Sequence, residues 1–431
     1  MSLLPALRTA PAWVRRLDQL LPAREVEQID REAEVDPRAV GMTAGDVDAI
    51  WSAARDAYET GVHPALALCI RRGGQIIMKR SLGHASGNGP DDAGKPRIAC
   101  TPDTPFCIFS ASKAITAVVM HMLDDRGLLH IDDAVQEYLP EFQGPQKERI
   151  TIRHVLTHRA GIPSVPAEYA TPELFHDWDR VVKLLCEAEP TSIPGRRLAY
   201  HAITGGFILG EIVQRVTGRS IRNVLQKDIL DPLGFERMNY GVPEADIPLV
   251  AQSAFTGPPV PWPLAPLVER ALGARFEVAA EIAHDPRFLT SVVPSGNVVA
   301  SADEASRFFQ VLLDGGIADG VRILEPRTIR RACNESSYLE MDFTLFFPVR
   351  YGLGFMLGSD RISLFGPRTP RAFGHLGFMN TLIWADPDRD ISVALLTSGK
   401  AFLSPHLFPL ARLVGAIGRH CPPGPLRRPS P

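Results

Sequence analysis

Strand-forming sequence is concentrated towards the two ends of this 431-residue chain. Ala65–Ile70 is a nearly continuous apolar run, and a Gly-Gly pair separates it from Gln75–Met78, a pattern typical of a hairpin. Two further apolar runs, Thr381–Ala385 and Ile391–Thr397, flank a turn-forming segment of aspartates and a proline. Because hairpins pair antiparallel and need a common sheet to bury their apolar faces, we expect both ends to supply strands to one antiparallel sheet.

The middle of the chain has a different pattern. From about residue 110 to 332 helical periodicity dominates, and Leu407 to Ile417 predicts a closing helix whose start is obscured by Pro409. The predicted fold is α/β (α+β), an antiparallel sheet flanked by N- and C-terminal helices plus a mainly helical domain. The sequence predicts three parts: a helical extension (1–58), a main domain (59–420) and a disordered tail (421–431). Within the main domain, the sheet comes from about 59–109 and 333–420, and a helical insertion covers about 110–332.

Two segments fall outside this scheme. In the N-terminal extension, Leu17, Leu20 and Leu21 predict an amphipathic helix that docks on the body. A transient membrane contact is the alternative, but membrane-surface helices usually carry a richer basic face. The proline-rich segment 257–263 predicts an extended loop, and the sequence leaves open whether it walls a pocket or is a surface connection.

Composition excludes several function classes. With a formal net charge of −3 and 22% charged residues, no basic field is available for nucleic acid or an anionic membrane. The six cysteines show neither a C-x-x-C pair nor metal-like spacing with histidine, so we expect free thiols. A secretory signal and a membrane-spanning apolar stretch are both lacking, which predicts a cytoplasmic protein without stable membrane insertion. Its oligomeric state is open.

A catalytic site is indicated by the tetrad Ser110-Ala111-Ser112-Lys113. This tetrad lies at the start of an apolar helical stretch that ends near Gly127. A serine hydroxyl needs a base within hydrogen-bond reach, and residues three apart share a helix face. Burial of Lys113 would favour its neutral amine, which can accept the serine proton. The alternative is that Ser110 caps the helix and Lys113 is solvated.

Two later motifs contain further candidate site residues. Tyr200 precedes an amphipathic helix, and a phenol beside a lysine ammonium is easier to ionise, so Tyr200 and Lys113 could share the serine proton. Gly374-His375-Leu376-Gly377-Phe378 precedes a predicted strand, where glycines let a substrate approach the backbone. The amides of Ser110 and Phe378 could then bind a developing oxyanion. Taken singly, Tyr200 is typical of a packing residue, and a glycine-flanked histidine before a strand is typical of a turn.

These motifs, in this order, resemble the serine β-lactamase and penicillin-binding protein superfamily, on its class C and esterase side. The resemblance runs from about Gly61 to Ser398 and also includes Ile150–Gly161 and Asp231–Gly234. It implies a nucleophile at Ser110, a base formed by Lys113 and Tyr200, an acyl-enzyme that water hydrolyses, and substrate binding at His375 and Gly377. No cofactor or metal ion is implied.

Two departures from the class C pattern narrow the expected substrate. Ala202 stands where a Tyr-x-Asn motif has its amide, and His375 stands where a Lys-Thr-Gly motif has its cation. Both changes weaken recognition of penicillins, and the chain is most similar to family VIII carboxylesterases, which implies uncharged esters of short acyl chains. A β-lactamase or D-amino acid peptidase on the same fold, and a non-catalytic ligand-binding scaffold, are the alternatives. His154 and His158 lack the adjacent glutamate of a zinc protease helix, so we interpret them as structural.

Overall fold

The computed structural model describes residues 14–162, 172–272 and 274–424. These residues form fourteen α-helices, numbered here in chain order: Ala23–Val26 (α1), Ala44–Tyr58 (α2), Ser112–Asp125 (α3), Val135–Tyr138 (α4), Ile152–Leu156 (α5), Trp178–Glu187 (α6), Thr204–Thr217 (α7), Ile221–Leu225 (α8), Leu264–Leu272 (α9), Phe276–Ile282 (α10), Pro286–Thr290 (α11), Ala302–Leu313 (α12), Pro326–Ala332 (α13) and Leu407–His420 (α14).

The main sheet has ten strands among the described residues: Glu27–Ile29 (β1), Ala65–Arg72 (β2), Gln75–Ser86 (β3), Ile98–Ala99 (β4), Ser337–Asp342 (β5), Phe347–Tyr351 (β6), Met356–Leu357 (β7), Phe373–Leu376 (β8), Leu382–Asp386 (β9) and Ile391–Thr397 (β10). Their spatial order is β1-β3-β2-β10-β9-β8-β7-β6-β5, with β4 paired to β3. All of these pairings are antiparallel.

The two ends of the chain meet at the centre of this sheet. Strand β2 pairs with β10, and the register places Ile70 opposite Val393 and Leu68 opposite Leu395. Both strands are buried along almost their whole length, which explains their continuous apolar sequence. The predicted antiparallel sheet built from both ends is confirmed.

Helices cover both faces of the sheet. On one face α2 packs against α14, and their apolar side chains share a cluster with Leu68 and Val393. On the other face α12 crosses β2, β9 and β10. The sheet flanked by N- and C-terminal helices is thus as predicted, while α12 lies in the segment expected to form the helical insertion. Its buried side chains, including Phe308 and Phe309, join the sheet to the helical part of the molecule.

A small three-stranded sheet links the helical part to the start of α3. Phe106–Cys107 pairs with Val298–Ala300, which in turn pairs with Asn239–Tyr240. The Ile108 amide donates to the Val298 carbonyl at 2.8 Å, which continues this pairing up to the turn that precedes α3. The chain segment leading to Ser110 is therefore anchored by backbone hydrogen bonds.

The N-terminal prediction needs correction. Residues 14–22 form no helix, and the backbone amides of Arg15, Asp18 and Gln19 donate to distant segments instead. Arg15 exchanges two backbone hydrogen bonds with Gly257, and the Asp18 amide donates to the Asn88 carbonyl. The C-terminal boundary also shifts, since Cys421 is fully buried and the Pro422 carbonyl accepts a hydrogen bond from Arg72. Residues 425–431 of the predicted tail lie outside the described residues.

Other sequence-based expectations concern the cysteines and membrane contact. All six cysteines are free thiols, as predicted. None of the described helices combines the length and apolar character needed to cross a bilayer.

Candidate active site

Ser110 lies in a tight turn rather than in the first turn of an α-helix. Phe109–Ala111 is a 3-10 turn, and α3 begins only at Ser112, two residues later than the sequence pattern suggests. Phe109 has a φ of +48°, a left-handed conformation that is strained for a bulky side chain. The Ser112 hydroxyl accepts from the Val298 amide at 2.9 Å and so fixes the turn to the small sheet.

Lys113 reaches back from the first turn of α3 to Ser110, as the spacing predicts. Its Nζ lies 3.3 Å from Oγ of Ser110. The same nitrogen donates to the carbonyl oxygens of Ala202 at 2.8 Å and Ser295 at 3.0 Å. These two carbonyls come from the segment after Tyr200 and from a loop before Val298–Ala300, so three distant parts of the chain converge on one amine.

The surroundings of Lys113 favour a neutral amine. Its side chain is buried, and this burial lowers its pKa well below the usual range. A neutral amine has two hydrogens and one lone pair. When the two hydrogens are donated to the carbonyls of Ala202 and Ser295, the lone pair is left for the Ser110 hydroxyl. The geometry therefore suits Lys113 to accept a proton from Ser110.

Tyr200 is brought to the same point from its own loop. Its hydroxyl hydrogen-bonds the Ser110 side chain, and Lys113 Nζ lies 4.6 Å from the centre of its ring. Burial raises the pKa of Tyr200, although the bond to Ser110 opposes the shift. The expected effect of a lysine ammonium on this phenol requires a charged Lys113, whereas burial favours the neutral form of both groups. Tyr200 and Lys113 thus lie on either side of the Ser110 hydroxyl, both in surroundings that favour their neutral forms.

Two side chains that sequence reasoning did not assign to the site hold Tyr200. The rings of His158 and Tyr200 are 4.7 Å apart, and burial keeps the pKa of His158 well below its usual value. The Tyr200 amide donates to Oδ1 of Asp342 at 3.0 Å, and Thr344 and Leu345 donate to the same oxygen. The sequence pattern indicates a structural role for His158, whereas Asp342, 142 positions from Tyr200, has no sequence signal.

The His375 segment lies at the end of β8, on the other side of the site. His375 is buried, and this burial, with the nearby Lys113, lowers its pKa to about 3. Its Nδ1 is 2.6 Å from the Leu376 carbonyl, and its ring centre is 6.4 Å from that of Tyr200. His375 is thus a neutral imidazole at physiological pH and supplies no cation.

Gly377 and Phe378 border the turn that carries Ser110. A Cβ on Gly377 would lie only 2.6 Å from the Ile108 carbonyl, so only glycine allows this close approach. The Phe378 ring packs edge-on against Phe109, with 5.6 Å between their centres. The structure therefore brings Ser110, Lys113, Tyr200, His375, Gly377 and Phe378 to one place.

A cavity of about 160 Å³ opens beside Ser110. Its walls come from the turn before α3, from α6, α7, α10 and α11, and from the segment after β8. The apolar lining includes Phe109, Leu174, Val181, Phe207, Phe288 and Phe378. No residue of the proline-rich loop 257–263 is among the described residues that line it, although Val260 packs against the adjoining Phe276 cluster.

The histidine pair four residues apart does not form a metal site in the described part of the chain. Nδ1 of His154 lies 3.1 Å from the Arg149 carbonyl, at the start of α5, whereas the His158 ring faces Tyr200. In residues 14–162, 172–272 and 274–424, no group of three or more potential ligands is placed to hold a metal ion.

Comparison with known proteins identifies a matching family and sequence relatives of this chain. The β-lactamase family model matches residues 52–415. The esterase/β-lactamase LipL of Mycobacterium tuberculosis is 28% identical over 313 residues, covering 69% of this chain and 70% of that protein. Esterase EstB of Burkholderia gladioli is 27% identical, covering 65% of this chain and 74% of that protein.

Solved structures agree in fold. A penicillin-binding protein homologue from Caulobacter crescentus superposes with a TM-score of 0.75 at 27% identity, covering 88% of this chain and 99% of that one. A family VIII carboxylesterase superposes with a TM-score of 0.73 at 24% identity, with the same coverage of 88% and 99%. The arrangement of sheet and helices described above is therefore shared with both.

Proposed function

The chain belongs to the β-lactamase family, and we propose that within this family it is a serine carboxylesterase that cleaves uncharged carboxylic esters through an acyl-enzyme at Ser110. The observation that carries the proposal is the position of the Lys113 amine, 3.3 Å from Oγ of Ser110, with two carbonyls to accept its own hydrogens. Esterase relatives such as EstB of Burkholderia gladioli support the same reaction class.

In the acylation step of this proposal, Lys113 removes the proton of Ser110 as Oγ attacks the ester carbonyl. The backbone amides of Ser110 and Phe378 bind the oxyanion that forms, a contribution worth about 100- to 1000-fold per donor. When the ester C–O bond breaks, the Lys113–Tyr200 pair delivers the proton to the leaving alkoxide, and the alcohol departs. Ser110 is then esterified, and both basic groups are neutral again.

Deacylation uses the same groups in reverse. Water takes the place of the alcohol, and the Lys113–Tyr200 pair accepts its proton as the oxygen attacks the acyl carbonyl. The proton returns to Oγ of Ser110 when the carboxylic acid is released. The net reaction consumes one ester and one water and yields one alcohol and one acid.

Two features favour an ester over a penicillin as the substrate. His375 is buried and neutral, so it cannot pair with a carboxylate as a fixed cation would. Ala202 offers Lys113 its carbonyl and has no side-chain amide for an acylamino group. An uncharged ester needs neither contact.

The proposal is tested with p-nitrophenyl acetate and four variants. Ser110→Ala should lower kcat/KM at least about 1000-fold, because the attacking atom is lost. Lys113→Ala and Tyr200→Phe should each lower kcat about 100-fold or more, with the fold retained by circular dichroism. Ser52→Ala, which removes an exposed hydroxyl on α2, is the matched control and should leave the rate unchanged. Wild-type activity in Ser110→Ala would overturn the mechanism.

A fluorophosphonate and a lactam separate the alternatives. Mass spectrometry after fluorophosphonate treatment should find the adduct on Ser110, whereas a non-catalytic scaffold would leave this residue unlabelled. Nitrocefin should be hydrolysed far more slowly than the ester. Comparable rates on both substrates would favour a β-lactamase, an activity included in the name of the esterase/β-lactamase LipL of Mycobacterium tuberculosis.

A further inference from the structure

The cavity beside Ser110 is lined mainly by apolar side chains. Phenylalanine rings and aliphatic side chains from several helices make up most of its lining, and Ser110 and Tyr200 lie on its border. Among the described residues that line it, none is an aspartate, glutamate, lysine, arginine or histidine. A charged substrate group placed here would lose its hydration without gaining a partner.

The hydroxyl groups in the wall are already engaged. Thr204 Oγ1 donates to the Ile162 carbonyl at 2.6 Å, and Ser295 Oγ donates to the Ile203 carbonyl at 2.9 Å. Both hydroxyl hydrogens therefore satisfy backbone acceptors of the protein itself. The cavity has no free donor from these two residues with which to orient a polar substituent.

Resting on the proposed esterase function, we propose that this cavity binds a bulky apolar group of the ester, an aliphatic chain of several carbons or an aromatic ring. The resemblance to family VIII carboxylesterases implies short acyl chains, but an acetyl group would leave most of these apolar walls without contacts. A longer chain or a ring removes more apolar surface from water at the step that forms the acyl-enzyme. The cavity thus selects ester substrates by apolar size.

Two substrate series test the proposal. One varies the acyl group of p-nitrophenyl esters from acetyl to octanoyl, and the other varies the alcohol of alkyl acetates, followed by acid release at constant pH. In the series whose variable group enters the cavity, kcat/KM should rise about fourfold per methylene until the cavity is filled. A flat or falling response in both series would overturn the proposal.

A substitution on α10 tests whether this cavity is responsible. Ala279 lines the cavity, and its neighbour Val278 is 38% exposed on the same helix. Ala279→Phe should fill the space and lower kcat/KM for the longest good substrate at least about tenfold more than kcat/KM for the acetate ester. Val278→Phe adds an aromatic ring outside the cavity and should change neither rate. Equal losses on long and short esters in Ala279→Phe would contradict the proposal.

A second variant keeps the test decisive if Ala279→Phe does not fold. Phe175→Ala enlarges the same cavity, where Phe175 packs against Phe288 with 5.5 Å between ring centres. It should move the preferred chain to a longer one, and an unchanged length preference would count against the proposal.

A charged ester provides the complementary test. The p-nitrophenyl monoester of a dicarboxylic acid, matched in length to the best acyl ester, should react at least about tenfold more slowly, because its carboxylate finds no cation in the wall. Equal rates would overturn the proposal. Failure of the underlying esterase function is distinguishable, since it would abolish Ser110-dependent hydrolysis of every ester, acetate included.

Discussion

The turn that carries Ser110 has a buried lysine beside each of its first two residues. Lys113 contacts Ser110, whereas Lys400 lies behind the turn with its Nζ 4.5 Å from the centre of the Phe109 ring. Lys400 also donates to the Thr397 carbonyl at 2.7 Å. Burial lowers the pKa of Lys400 to about 7, because its few polar contacts do not replace water around an ammonium.

Lys400→Met should make the free energy of unfolding depend less on pH. The unfolded lysine keeps its proton up to about pH 10.5, whereas the folded one loses it near pH 7. Between these values the unfolded state binds more protons, so the free energy of unfolding rises with pH, and below about pH 7 the full cost of burial remains. Urea unfolding between about pH 7 and 8.5 should show a slope about 1 kcal/mol per pH unit steeper in the wild type than in Lys400→Met. Parallel slopes would show that Lys400 does not titrate there.

At the residue scale, the sequence predicts local contacts well and distant ones poorly. The Ser110–Lys113 contact is predicted from helix spacing, and it is present because the 3-10 turn that carries Ser110 leads directly into α3. The carbonyl of Ser295 that orients the same amine is 182 positions away, and no periodicity marks it. The left-handed φ of Phe109 is equally invisible, since nothing in the residue type favours it.

At the scale of elements, the segment joining β8 and β9 sets the distance between the sheet and the turn that carries Ser110. The Gly377 amide donates to the Thr381 carbonyl at 2.8 Å, which closes the connection. Gly377 also lies so close to Ile108 that a Cβ would fall 2.6 Å from its carbonyl oxygen. The backbone of this segment and the turn therefore form a single rigid contact beside the proposed oxyanion site.

Gly377→Ala should push the two segments apart and lower kcat/KM for p-nitrophenyl acetate by about 10- to 100-fold, because a displacement near 1 Å has that effect on catalysis. The overpacked contact should also lower the free energy of unfolding by about 1–3 kcal/mol. Gly418→Ala is the control, because a Cβ there meets nothing within 4 Å and the residue is inside α14. It should retain activity and gain about 0.5–1 kcal/mol of stability. Similar activity in both variants would contradict the assigned role.

The helices and strands that the sequence predicts are those with long apolar runs. Ile391–Thr397 matches β10, and the predicted closing helix is α14, which begins at Leu407 although Pro409 obscures its start in the sequence. The strands β5 and β6 were missed, since both are partly exposed and their sequence mixes charged with aromatic residues. Strand β1 is only three residues long and half-buried, so hydrogen bonding to β3 rather than apolar pattern defines it.

At the scale of the whole molecule, one face of the sheet is closed by helices from opposite ends of the chain. Side chains of α2, including Ile50 and Ala54, share an apolar cluster with Leu413 and Ile417 of α14. Nδ1 of His420 lies 2.8 Å from Oδ1 of Asp46, which links the end of α14 to the start of α2. Neither helix can leave without exposing the central strands, so both ends should unfold together with the sheet.

Leu413→Ala tests this coupling. Leu413 is fully buried, and its truncation should lower the free energy of unfolding by about 2–5 kcal/mol. Phe408→Ala on the same helix is the matched control, because Phe408 is 68% exposed and its loss should cost no more than about 0.5 kcal/mol. In Leu413→Ala, thermal loss of helical circular dichroism and of esterase activity should coincide at one lower temperature, since the sheet that carries the site depends on this cover. Helix loss well before activity loss would mean that α14 frays independently, and that the two ends of the chain do not form one cooperative unit.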